Sequence, residues 1–316
     1  MDKIERMMAE IEGRIDGKLA EADRKIRRGL GEDEAPASKA PQGARLGSLA
    51  RPAVAEDAVL SPGLSTAPGE LEQLAAYVFH SPHVQNNAVY AKIAAQVRFE
   101  PDLDDPTVNA YAGFAGGEPR IRLLGGAVAF SRLVSAAATA DRLIRAARPA
   151  ECLKTTIRTL GTHLLKNGGA ISPENAQAIA NQCGLLRALE DEAVARKARS
   201  FAAGLNIGII AHELGHYALG HTVGRAVNLE ISRNQEREAD SFASSVISSS
   251  PFGEYLVTGT ILWELVWVWC EHAAGRTAAT THPLSKERLL DFIRANAATA
   301  GQLGLTEQRI GEFLPG

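Results

Sequence analysis

The sequence has no surplus of basic residues and only a few cysteines. Its 316 residues include 34 lysines and arginines against 37 aspartates and glutamates, which gives a formal net charge of −3. Because proteins bind DNA and RNA phosphates through clustered basic side chains, we expect no nucleic acid partner. The three cysteines are odd in number and far apart along the chain, which argues against a disulfide framework and against a cysteine-rich zinc module.

Targeting and membrane signals are also missing from the sequence pattern. The N-terminus carries charged residues throughout and has no apolar stretch of the kind found in signal peptides. The most apolar segment, Tyr255–Ala274, contains all three tryptophans, but Glu264 lies in its middle. Its longest charge-free run is therefore well short of the roughly 18 residues that a spanning helix needs. The segment predicts a buried core helix, and we expect a cytoplasmic protein with no integral membrane segment.

The chain divides into three predicted regions. Residues 1–30 form an amphipathic helix with a short heptad-like stripe, which fits either a frayed helix or a self-association helix. Residues 31–69 contain five prolines and few large apolar side chains, and they predict a disordered linker. Residues 70–316 form the folded domain, in which a few short strands precede many helices and so predict a helix-dominated α+β fold. Within it, residues 133–200 form a helical insertion that is either a lid or structural padding.

The motif that carries chemistry is His212-Glu213-Leu214-Gly215-His216, an H-E-x-x-H sequence at the end of an apolar run. On a helix, His212 and His216 are four residues apart and project from one face. Two imidazoles with this spacing can bind one zinc ion. Glu213 follows the first ligand and can accept a proton from a water that the zinc ion has acidified, as a general base.

A zinc site of this kind needs a third protein ligand, and the sequence offers more than one candidate for it. The extended pattern with a third histidine fails, because Thr222 occupies its position. His221 is out of phase with the pair and is expected to cap the helix. Glu236 on the next helix is favoured over Glu238 and gives a His₂Glu site with an open fourth position. Asp240, one turn further on, can accept a hydrogen bond from a ligand imidazole and fix its tautomer.

A later block, from His282 to Arg288, begins another predicted helix. One interpretation is a helix cap followed by an ordinary surface arginine. A second is a pair of cationic donors that face the oxyanion formed during hydrolysis. In a third, His282 occupies the fourth zinc position and keeps the enzyme latent.

Four blocks together resemble family forty-eight of the metallopeptidases, gluzincins that include the CaaX prenyl endopeptidases, the HtpX-like membrane proteases and the BepA-like periplasmic proteases. The blocks are VNAYA (Val108–Ala112), HELGH (His212–His216), EREAD (Glu236–Asp240) and HPLSKER (His282–Arg288). The resemblance implies a small sheet on a helical core with a cleft along the sheet edge. It also implies one zinc ion per chain and a role for each matching residue. His212, His216 and Glu236 are the expected ligands, Glu213 the general base and Asp240 the partner of a ligand. His282 and Arg288 are expected either to stabilise the transition state or to contact a regulatory position near the metal.

The membrane helices of that family are missing, so the sequence predicts a soluble zinc endopeptidase that acts on protein or peptide. An extended substrate is expected to add as a strand along Arg120–Phe130. Two alternatives stay open. One is a regulatory peptidase dedicated to a single partner, similar to the ImmA-like enzymes. The other is a latent zinc-binding scaffold whose interactions lie in residues 1–69, although the intact Glu213 argues against a purely structural zinc site.

Overall fold

The computed structural model describes residues 68–143, 149–182, 184–221, 228–248, 253–275, 284–302 and 306–308. The predicted helix over 1–30 lies outside the described residues, and so does the predicted linker apart from its last two residues, which begin the first helix. His282 also lies outside them.

Three short helices precede a small sheet, and longer helices follow it. The first helices are α1 (Pro68–Phe79), α2 (Pro82–Gln85) and α3 (Ala88–Ala94), and the strands are β1 (Arg98–Asp102), β2 (Ala110–Ala115) and β3 (Glu118–Leu124). The following helices are α4 (Gly125–Leu143), α5 (Pro149–Lys166), α6 (Pro173–Gln182), α7 (Leu185–Ala188), α8 (Glu192–Ala218), α9 (Leu229–Ser248), α10 (Gly253–Ala273), α11 (Ser285–Ala295) and α12 (Ala297–Gln302). The predicted helix-dominated α+β fold is confirmed.

The three strands form one sheet in the order β1-β3-β2, with β3 parallel to β1 and antiparallel to β2. The expectation that Arg120–Phe130 offers a free strand edge is therefore wrong. Residues 120–124 belong to the central strand, and residues 125–130 begin α4. The start of this helix packs closely on the preceding loop, where a Cβ at Gly126 would be 2.0 Å from the Pro106 carbonyl oxygen. The edge strands of the sheet are β1 and β2.

The two faces of the sheet differ in polarity. On the outer face, β3 pairs its arginines with acidic residues of β1, and the Arg120–Glu100 ion pair has an N–O distance of 2.7 Å. On the inner face, Ile121 and Leu123 are fully buried against the helices. This alternation is typical of a sheet with one side in solvent and the other on a core.

Helix α8 runs through the centre of the helical layer. It has 27 residues and begins at an N-cap, where the Asp191 carboxylate accepts hydrogen bonds from the backbone N–H groups of Ala193 and Val194. Such a cap satisfies donors that the first helical turn leaves unpaired. Helices α4, α9 and α10 pack around α8. The C-terminal half of α8 lies under the sheet, so the H-E-x-x-H motif lies between the sheet and α9.

The apolar helix α10 packs inside the protein, as its composition predicts. Val257, Ile261 and Val266 are at most 1% exposed, and the ring of Trp263 lies edge-on to Phe130 with a centroid distance of 4.4 Å. Among the described residues, none of the helices has the length and apolar character needed to cross a bilayer. The predicted helical insertion over 133–200 stays a prediction, since its first residue falls within α4 and its last within α8.

Candidate metal centre

Helices α8 and α9 supply the candidate ligands because their backbones come close together. Gly215 lies at the contact: a Cβ there would be 3.2 Å from the Cα of Ala239 and 3.1 Å from the Cβ of Phe242. The glycine of the H-E-x-x-H motif thus lets α9 lie directly against α8. The contact brings Glu236 opposite the two motif histidines.

Three side chains converge at one point. The Nε2 atoms of His212 and His216 are 3.1 Å apart. The Glu236 carboxylate oxygens lie 3.3 Å from the first and 3.6 Å from the second. One ligand atom from each residue can be chosen so that all three lie within 4.8 Å of one another. This cluster could bind a metal ion, as the sequence spacing predicts.

A carboxylate fixes the orientation of the His212 ring. The Nδ1–H group of His212 donates a hydrogen bond of 2.8 Å to Asp240 Oδ1. Arg288 holds the same carboxylate with two hydrogen bonds, of 2.9 Å from Nε and 2.7 Å from Nη2. Burial opposes ionisation of Asp240, but the Arg288 charge and the His212 hydrogen bond outweigh it and hold the pKa of Asp240 well below its usual range. An ionised carboxylate can only accept a hydrogen bond, so the Nδ1 atom of His212 is the donor to Asp240. The Nε2 atom, on the other side of the ring, faces the cluster with His216 and Glu236.

His216, the second histidine of the motif, lies in a hydrogen-bonded chain of side chains that the sequence did not predict. The Nδ1 atoms of His216 and His221 are 3.1 Å apart, and His221 Nε2 lies 2.9 Å from Glu238 Oε2. Gly220, at φ 77°, turns the chain at the end of α8 so that His221 folds back over the last turn. Its backbone N–H donates to the His216 carbonyl oxygen at 2.8 Å. Glu238, the rival candidate ligand, thus contacts His221 rather than the cluster.

The two motif histidines differ in pKa. Burial disfavours the charged form of His212, but its hydrogen bonds to Asp240 and Glu236 raise its pKa to about 10. Burial and the neighbouring His212 charge lower the pKa of His216 to about 4. The Nε2 atoms of both rings face each other at the cluster.

Glu213 points towards the edge strand of the sheet. It is 8% exposed, and its carboxylate accepts a hydrogen bond from the backbone N–H of Ala112 on β2. Burial raises the pKa of Glu213, partly offset by the neighbouring His212 charge. Tyr217, one turn further along α8, holds the sheet in place, because its hydroxyl accepts a hydrogen bond of 2.9 Å from the Arg120 backbone N–H. The V-N-A-Y-A block therefore forms one wall of the site.

The cluster opens into a cleft of about 690 Å³. Its walls come from β2, α8, α9, α10 and α11. Glu264 of α10, which sequence reasoning treated only as an interruption of an apolar run, lines this cleft and is 5% exposed. Burial raises its pKa to about 7, and its Oε1 atom lies 3.7 Å from Arg288 Nη2. A single carboxylate in an otherwise apolar helix was the signal that could have identified it.

Arg288 lines the cleft, but its guanidinium is bound to Asp240. The expectation that Arg288 faces the oxyanion stays a prediction, and its observed contacts suit an orienting role behind His212. The role of His282 is likewise a prediction on a residue outside the described part of the chain.

Asp240→Ala should weaken the affinity for a bound metal by about 10- to 100-fold, since partners of this kind orient the ligand imidazole and raise its basicity. Competition against a chromophoric chelator, below the melting temperature, measures the loss. Asp291→Ala is the matched control, because Asp291 lies on α11 at the surface and pairs only locally with Arg294. Equal affinity in the two variants would contradict the orienting role.

Comparison with models of known protein families matches residues 189–303 to Peptidase U49. The matched segment contains the H-E-x-x-H motif, Glu236, Glu264 and Arg288, and its similarity to a peptidase family suggests a proteolytic function. No curated protein and no solved structure matches the chain at a significant level.

The match corrects the resemblance to family forty-eight of the metallopeptidases, because Peptidase U49 is a distinct peptidase family. The physical reason lies in the motifs. Two histidines four apart on a helix, with a carboxylate on a second helix, are what a His₂Glu metal site requires in any family. Such motifs therefore indicate metal chemistry but do not identify the peptidase family.

Proposed function

We propose that this protein is a zinc-dependent endopeptidase in which His212, His216 and Glu236 bind the metal and Glu213 is the general base. The observation that carries the proposal is the convergence of the three ligand atoms at the base of a cleft that also contains Glu213. The similarity of residues 189–303 to a peptidase family supports it independently. A peptidase acts on protein or peptide substrates, and the cleft has room for several side chains.

The donor set fits a zinc ion. Two imidazole nitrogens and one carboxylate oxygen are common zinc ligands, and three protein ligands leave a fourth position for water or substrate. Zinc binds neutral imidazoles, so metal uptake should release any proton held at the two Nε2 atoms. When bound, zinc polarises a carbonyl group and makes a neighbouring water more acidic.

Glu213 is placed to accept a proton from the attacking water. Its carboxylate lies in the cleft next to the ligand set and is held by the Ala112 N–H. Burial raises its pKa, which makes it a better proton acceptor near neutral pH. It would take a proton from the attacking water and pass it to the leaving amine.

The edge of β2 is suited to orient an extended peptide. The Leu124 N–H donates to the Asn109 carbonyl oxygen, so in this antiparallel pair the backbone groups at 109, 111 and 113 point to β3. Those of Ala110 and Ala112 point the other way, and both residues line the cleft. The hydrogen bond from the Ala112 N–H to Glu213 supports this assignment. Because the Ala112 N–H is bound to Glu213, a substrate strand would pair through the backbone groups of Ala110 and the Ala112 carbonyl, and it would lie beside the ligand set.

The test compares metal-stripped protein with the same preparation after reloading with zinc, on a proteome-derived peptide mixture analysed by mass spectrometry. We expect internal cleavages only with the reloaded protein. Equal cleavage by the stripped protein would contradict the metal dependence. A fully loaded protein that cleaves no peptide would favour the single-partner peptidase or the latent scaffold instead.

A further inference from the structure

On the α10 wall of the cleft, two polar atoms have no hydrogen-bond partner among the described residues. These atoms are Thr260 Oγ1 and Glu264 Oε2, and both are buried. The two residues are four apart, so they lie one turn from each other on the same face of α10, and both line the cleft. Buried polar atoms without partners are rare and costly. Their shared direction indicates a ligand that supplies hydrogen-bond donors.

Arg288, the cation beside Glu264 in the described part of the chain, does not satisfy this need. It gives two short hydrogen bonds to Asp240 and lies 3.7 Å from the other carboxylate oxygen of Glu264. Glu264 Oε2 is thus left without a donor among the described residues.

The surrounding wall is apolar and aromatic. On the opposite helix, Gly208 lies close against Thr260, and a Cβ at this glycine would be 3.1 Å from Thr260 Oγ1. Trp263 and Trp267 line the same wall of the cleft. Lysine and arginine pack their aliphatic stems on apolar surface, and their cationic groups interact favourably with indole rings.

The charge of the cleft favours a cationic ligand. The side chains that line it include five carboxylates, which belong to Glu213, Glu236, Asp240, Glu264 and Glu271, against three histidines and one guanidinium, that of Arg288. Acidic groups therefore outnumber groups with a permanent positive charge. An acidic substrate side chain would be repelled, and a basic one attracted.

We propose that Glu264, assisted by Thr260, is the specificity-determining residue of a subsite that binds a lysine or arginine side chain of the substrate close to the scissile bond. This rests on the proposed peptidase function. The basic group donates hydrogen bonds to Glu264 Oε2 and Thr260 Oγ1, and its stem lies along Trp263 and Trp267.

The kinetic test uses peptides that differ at one residue. Lysine, norleucine or glutamate is placed in turn at each of the four positions that flank a cleaved bond, and kcat/KM is measured. At one position we expect lysine to be preferred over norleucine by about 10- to 100-fold, the range of a hydrogen bond to a charged group. Glu264→Gln should reduce this preference to a few-fold. Glu271→Gln is the control, because it removes one charge from the same wall and keeps an oxygen that can accept the Ser285 N–H.

The binding test separates failure of the subsite from failure of the proposed function. In the Glu213→Gln background, loaded with zinc, tryptophan fluorescence follows binding of the same peptides without turnover, and Trp263 and Trp267 report from the wall itself. A lysine preference that depends on Glu264 supports the subsite even if no peptide is cleaved. Equal binding of the lysine and norleucine peptides would overturn it. An equal loss of kcat on all peptides in Glu264→Gln would also overturn it, since Glu264 would then act only by positioning Arg288.

Discussion

Glu213→Gln should lower the rate of peptide hydrolysis by about 10²- to 10⁴-fold, the usual contribution of a general base. Glutamine has nearly the same shape as glutamate, and its amide oxygen can still accept the Ala112 N–H. It cannot take a proton from water. The bound metal, the fold and peptide binding should therefore be unchanged. The measurement is kcat on a peptide that the wild type cleaves, with zinc content determined on the same sample.

The control for this experiment is Glu192→Gln, a change of the same kind on the same helix at a side chain that is 85% exposed. We expect wild-type turnover from it. If Glu213→Gln hydrolyses peptides as fast as this control does, the general-base mechanism is wrong. If it loses zinc instead, Glu213 contributes to metal binding and not only to proton transfer.

Glu236→Ala should lose most of the bound metal. The variant removes one of three ligands and leaves two histidines, so the affinity should fall by more than the roughly 10- to 100-fold typical of a residue that only orients a ligand. Elemental analysis after dialysis against a weak chelator should give close to one zinc ion per wild-type chain and a small fraction of that for the variant. His212→Ala should behave in the same way.

Glu238→Ala provides the matched comparison, because it changes the neighbouring glutamate that contacts His221 rather than the ligand cluster. We expect it to retain its zinc. Full occupancy in Glu236→Ala together with metal loss in Glu238→Ala would exchange the two assignments.

The central part of the site could be predicted from the sequence because helical periodicity determines it. Residues four apart share a face of a helix whatever surrounds it, which is why His212 and His216 were identified from spacing alone. The same rule relates Glu236 to Asp240. The contact of Asp240 with His212 joins two helices, and it could be predicted only because ligand imidazoles usually donate their second N–H to a carboxylate, a backbone carbonyl or water.

Features that depend on three-dimensional packing were not predictable in this way. His221 contacts His216 only because Gly220 reverses the chain direction, and helical phase alone places His221 away from the site. Glu264 belongs to the site through the packing of α10 against α8. In the sequence it looks like a single charge in an apolar helix.

The sheet shows the same distinction. The sequence predicts a few short strands ahead of the helices, and the structure has three strands there. Their order does not follow from the sequence, because β1 pairs with β3 although β2 lies between them along the chain. The predicted substrate-docking edge at Arg120–Phe130 therefore fell on the central strand.

The contact at Gly215 determines how far apart α8 and α9 lie, and with that the size of the proposed metal site. In the proposed metal site, two ligand atoms come from α8 and one from α9, so the size of the coordination sphere would depend on how closely the two backbones approach. A methyl group at residue 215 would push against Ala239 and Phe242 and would widen the sphere without altering a ligand. The lack of a side chain at Gly215 would then help to select ions by radius, although Gly215 itself contributes no ligand.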